Sequence, residues 1–98
     1  MVNRLIDLLH TYGYRVAGFR AARTAQGWRT AVIADGKGFP DLLAFRESDG
    51  RRVAIECKIP PDKLGPEQLD WANVLKTCKV EWYMVTPADW EQMSEVLQ

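Results

Sequence analysis

Phe39-Pro40-Asp41-Leu42-Leu43-Ala44-Phe45 leads into Glu47-Ser48-Asp49-Gly50-Arg51, and Val53-Ala54-Ile55-Glu56-Cys57-Lys58 leads back out. Two apolar-rich runs around Asp-Gly are the strongest short-range signal for a β-hairpin. With Asp49 and Gly50 as a two-residue turn, Phe45 pairs with Ala54, Leu43 with Glu56 and Asp41 with Lys58. Directly paired residues project from one sheet face, as do residues two apart along a strand. Asp41, Glu56 and Lys58 are therefore expected together on one face, at the open end of the hairpin. A slip of one residue would send Asp41 to the opposite face.

Outward from the hairpin, the chain alternates helix and strand signals. Val2, Leu5, Ile6 and Leu9 fall at helical spacing and Gly13 is a natural stop, which predicts a first helix near residues 2–12. Tyr14 to Phe19 has strand character. Arg20 to Lys37 has few apolar anchors and reads as a long loop or an irregular strand pair. After the hairpin, Gly65-Pro66-Glu67-Gln68 opens a second helix with proline at its first position. Trp71, Ala72, Leu75 and Cys78 are expected on its inner face. Val80 to Val85 reads as a strand, and Thr86-Pro87-Ala88-Asp89 starts a last helix striped by Trp90, Met93 and Leu97. The order α-β-β-β-α-β-α predicts an α/β fold, a mixed sheet flanked by helices with a β-α-β crossover over residues 51–85.

Composition narrows the function classes. The 98 residues, 47% hydrophobic, suit one domain spanning 1–98 with one core. No apolar run reaches membrane-spanning length, so a soluble, cytoplasmic protein with no membrane partner is expected. Cys57 and Cys78 lack metal-ligand spacing and read as reduced, buried small hydrophobes, and His10 alone cannot complete a zinc site. Net charge is zero but unevenly spread. Residues 1–63 carry 11 Lys or Arg against 7 Asp or Glu, and residues 64–98 carry 2 against 6. The first part could present a basic face to a polyanion.

Taken singly, Pro-Asp at a strand start and Glu-x-Lys in a strand are commonplace. Gln68 can serve merely to cap its helix, and Trp71 is most simply core. Together the charges suit phosphodiester hydrolysis, which needs a nucleophilic water and neutralisation of an anionic transition state. Divalent ions held by carboxylates do both. Mg²⁺ prefers oxygen ligands and takes one or two carboxylates, here Asp41 and Glu56, with the Cys57 backbone carbonyl as a further candidate. Lys58 is placed to orient water or to stabilise charge on the phosphate. Arg20, Arg23, Arg29 and Lys37 are candidates for phosphate contacts to DNA.

Gly38-Phe39-Pro40-Asp41-Leu42, Ala54-Ile55-Glu56-Cys57-Lys58 and Gly65-Pro66-Glu67-Gln68-Leu69-Asp70-Trp71 resemble the virus-type replication-repair nuclease (VRR-NUC) domain of the PD-(D/E)XK nuclease superfamily. Trp82-Tyr83-Met84-Val85-Thr86-Pro87-Ala88-Asp89-Trp90 is similar to that family's closing segment. The resemblance implies a restriction-endonuclease-like fold and Mg²⁺- or Mn²⁺-dependent hydrolysis of DNA. It assigns metal binding to Asp41 and Glu56, catalysis to Lys58 and support of the site to Gln68. It further implies a free-standing phage or bacterial protein similar to Holliday-junction resolvases, acting as a homodimer on branched DNA. Two positions depart from the family pattern. The first helix offers only Asp7 where many relatives have a metal-binding glutamate, and Gly18 precedes Phe19-Arg20 where a histidine is frequent. These departures motivate an alternative, a catalytically inactive nucleic-acid-binding module with the nuclease fold.

Overall fold

The predicted hairpin forms the centre of a four-stranded mixed sheet. A computed structural model describes residues 1–19, 22–25, 27–29 and 32–98, and of residues 22–24 and 28–29 the backbone. The elements are α1 (Val2–Thr11), β1 (Arg15–Gly18), β2 (Ala22–Thr24), β3 (Gly27–Arg29), β4 (Leu42–Arg46), β5 (Arg51–Cys57), α2 (Pro66–Thr77), β6 (Glu81–Val85), a 3₁₀ turn (Pro87–Asp89) and α3 (Trp90–Val96). The sheet order is β1-β4-β5-β6. β1 and β5 run antiparallel to β4, and β6 runs parallel to β5, joined to it through α2. β2 and β3 pair separately. The strand-pair reading of residues 20–37 is thus the one realised at Ala22–Thr24 and Gly27–Arg29.

Side-chain alternation explains the layers. Leu42 and Ala44 of β4 and Val53 and Ile55 of β5 point to one face, where they pack with Leu5 and Leu9 of α1, Met93 of α3, Leu97 and Val85. Burying each large aliphatic chain stabilises by roughly 1.5–3 kcal/mol. Tyr14 is buried with them, and its hydroxyl donates to the Leu97 carbonyl at 2.9 Å. The other face belongs to α2, which covers β5 at Ala54 and Glu56 with Ala72 and Leu75 buried. Central strand β5 is therefore buried on both sides, and a carboxylate sits inside the second layer. Cys78 was expected on the inner face of α2. It is exposed instead, because it caps the helix beyond its last turn.

The hairpin register differs from the expected one by two residues. Leu43 pairs with Ala54 and Phe45 with Arg52, and the turn has four residues, Glu47 to Gly50. Asp49 causes the difference. Its carboxylate accepts from the Arg51 N–H and from both Nε and Nη2 of Arg46, which closes the loop at Arg46. Gly50 completes it at φ +71°, its N–H donating to the Arg46 carbonyl at 2.8 Å. A shift of two preserves parity, so no side chain changes face. Continued one residue past Leu42–Ile55, this register sets Asp41 opposite Glu56 rather than Lys58.

Gly38 fixes how the segment before Asp41 lies on α2. It adopts φ +84°, and a Cβ there would come within 2.6 Å of the Glu67 carbonyl carbon and 2.8 Å of the Gln68 nitrogen. Both atoms are backbone and cannot swing aside. Gly38→Ala should therefore combine left-handed strain with overpacking, at about 2–4 kcal/mol together. For a domain of this size that lowers the melting temperature by roughly 10 °C or more. An unchanged thermal melt would contradict this packing.

Candidate active site

Three segments converge at the end of β5. Asp41 immediately precedes β4, Glu56 lies in β5, and Lys58 follows β5 with its N–H bonded to the Val85 carbonyl at 2.9 Å. The fourth residue, Gln68, comes from the first turn of α2. Lys58 Nζ lies 3.9 Å from Glu56 Oε1, with only 17% of its side chain exposed. The Cys57 backbone N–H donates to Asp41 Oδ2 at 2.8 Å, which orients that carboxylate against the end of β5.

Gln68 does two things with one amide. Its Oε1 accepts from the Gly65 N–H at 2.9 Å, the reach-back of a capping box. Its Nε2 donates to Glu56 Oε1 at 2.8 Å. The cap thereby fixes which end of the amide faces the carboxylate. The capping role and the supporting role, which compete in the sequence, are simultaneous in the structure.

Glu56 is the electrostatic centre of this cluster. It is 4% exposed and the one charged residue among the buried described residues. Burial, first, and then the neighbouring Asp41 charge push its pKa up to about 7, while Lys58 pulls it down. Its ionised form is therefore only partly compensated. The Cys57 thiol is pushed up to about 12, mainly by burial and then by the two acids, so it stays protonated and inert.

That imbalance tests whether a divalent cation fits. Two carboxylates on adjacent strands repel, and a single ammonium 3.9 Å away offsets only part of their charge. A cation between them would favour ionised Glu56, and the oxygen donor set is the kind Mg²⁺ accepts. The donors fit the ion. Among the described residues no group of three or more His, Cys, Asp or Glu is placed to hold a metal. α1 adds no acid. A cavity of about 440 Å³ beside Asp41 meets Val2 and Ile6 from that helix, and Asp7 is exposed.

Of the expected phosphate-contacting cations, Lys37 is the one whose side chain is among the described residues. Lys37 is exposed and ion-paired with Glu67 at 3.2 Å. Arg23 and Arg29 place their backbones in β2 and β3, with side chains outside the described residues, and Arg20 lies outside them altogether. A file of three aromatic rings beside the site was not anticipated from the sequence. Phe39 packs edge-on against Trp71 with ring centroids 4.9 Å apart, and Phe19 packs edge-on against Phe39 at 5.5 Å. Trp71, read as core, is half-buried, and its indole N–H donates to the Asp35 carbonyl at 3.0 Å. The available signal was nearness in the chain, since Phe39 lies two residues from Asp41.

The family model described as the VRR-NUC domain matches residues 6–89 of the 98. No curated protein and no solved structure gives a match. The matched span covers Asp41, Glu56, Lys58 and Gln68. Among the described residues no helix is long and apolar enough to cross a membrane.

Proposed function

Since the chain belongs to the VRR-NUC family, a nuclease-type domain, we propose that it is a divalent-metal-dependent endonuclease that hydrolyses DNA phosphodiesters at branches. The observation that carries this reading is the buried Glu56 carboxylate, set beside Asp41 and Lys58 and gripped by Gln68. Such an acid, raised towards neutrality by its surroundings, is a liability for stability and an asset for chemistry.

Asp41 and Glu56, with the Cys57 carbonyl, would hold Mg²⁺ or Mn²⁺. When bound, the ion supplies Lewis-acid charge at the scissile phosphate and favours ionisation of water. Lys58 positions the attacking water and places positive charge where the phosphate becomes more anionic. Gln68 keeps Glu56 in one orientation, and the Cys57 N–H does the same for Asp41. Lys37, Arg20, Arg23 and Arg29 would add phosphate contacts, which strengthen binding without reading sequence. A homodimer, by presenting two equivalent sites, would suit two cuts at a symmetric junction.

Labelled four-way junctions and flaps incubated with Mg²⁺ or Mn²⁺ test the reading. Cleavage should require the metal and vanish in Asp41→Ala. The apolar face that α1 turns towards Asp41 favours one competing reading, a module that binds branched DNA without cutting it. That reading predicts a salt-sensitive gel shift with no products beyond the Asp41→Ala background. Sedimentation of the free and DNA-bound protein distinguishes monomer from dimer.

A further inference from the structure

The aromatic file Phe19–Phe39–Trp71 walls a cavity of about 470 Å³, within the range of small-ligand pockets, with Val32, Ile33 and Asp35 completing it. Each ring is tethered to a residue of the candidate site. The Phe19 N–H donates to the Asp41 carbonyl at 2.9 Å, extending the β1–β4 ladder. Phe39 is separated from Asp41 by Pro40 alone. Trp71 follows Gln68 by three residues, one turn along the same face of α2. The pocket and the acid pair are consequently neighbours, sharing α2 and the segment that leads into β4.

The lining identifies the occupant by its chemistry. Half-exposed rings offer flat π surface, and Val32 and Ile33 are exposed at the rim. Asp35 disfavours a phosphate or a carboxylate. A strand whose phosphate lies at Asp41 and Glu56 brings its own bases within reach of these rings, and every base has a face that stacks on them. We infer that this cavity receives one unpaired nucleobase of the DNA strand being cut. The inference rests on the nuclease reading and narrows it to DNA with an unpaired nucleotide beside the scissile phosphate, such as a flap or bubble. A fully paired junction would have to surrender a base pair to fill the pocket.

Two paired substrates test it, flaps that differ only in whether the nucleotide at the cut carries a base or is abasic. The base-bearing flap should be cut about tenfold faster, the scale of one stacked base. Phe19→Ala should erase that preference. Ile33→Glu should also erase it, and its position is 89% exposed, so folding is not at stake. Equal rates on the two flaps, or a preference that survives both substitutions, overturns the pocket while leaving the nuclease reading intact. If nothing is cut, a 2-aminopurine at the same position decides the question by binding. Quenching in the parent that is lost in Phe19→Ala supports the pocket, and no quenching overturns it. If a second copy of the chain covers these rings, Ile33→Glu converts a sedimenting dimer to monomer with base preference unchanged, which also overturns the inference.

Discussion

At pH 8 with divalent cations chelated, Glu56→Gln should melt roughly 10 °C or more above the parent protein. The reason is linkage. Folded Glu56 titrates near 7, above the ordinary 4.5, because it is buried beside Asp41. The folded chain therefore holds a proton that the unfolded chain has lost between those values. The stability tied to that proton is complete below pH 4.5 and disappears as pH rises through 7. Above that, the fold carries an ionised buried acid, at a cost on the order of 3 kcal/mol. Glutamine has the same shape, its Oε1 can still accept from Gln68, and its amide can face Asp41. Saturating Mn²⁺ should raise the parent's melting temperature, since an ion that binds only the folded state stabilises it. The same addition should leave Glu56→Gln unmoved. A variant that melts at or below the parent in chelator would show that Glu56 carries no such burden.

Lys58→Met should cut the cleavage rate by about 10²–10³-fold at saturating metal, the scale seen when one donor to a developing anion is removed. Methionine keeps the length and bulk of a side chain that is mostly buried, so the loss is of charge and not of packing. Lys58 also lowers the Glu56 pKa, so its removal should move the onset of metal binding to higher pH. Rates compared at saturating Mn²⁺ and pH 8.5 separate the two effects. A rate within about tenfold of the parent there would assign Lys58 to metal affinity alone. Lys58→Arg should not restore full rate, because a planar fork does not replace a compact ammonium.

Much of this arrangement was legible because sheets alternate. The Asp-Gly signal located the hairpin, and the parity of Asp41, Glu56 and Lys58 put them on one face. The expected turn was too short by two residues, since pattern alone does not reveal that Asp49 is tied to both Arg46 and Arg51. The even slip protected the conclusion, and an odd one would have destroyed it. The start of α2 was legible from Pro66 and the reach-back of Gln68. Less visible was anything assembled from distant segments. Trp71 read as core because its spacing on α2 matches Leu75, and only folding brings Phe39 and Phe19 to its edge. Lys37 read as an available cation because nothing local shows that Gly38 brings it to Glu67 across the first turn of α2.

The shared amide of Gln68 has an evolutionary consequence. Any replacement at this position is judged twice, once by the crossover helix that loses its opening latch and once by the acid that loses its brace. Drift towards a merely adequate helix starter would disarm the acid, and drift towards a better brace would fray the helix. The helix start and the posture of the buried acid thus depend on one side chain.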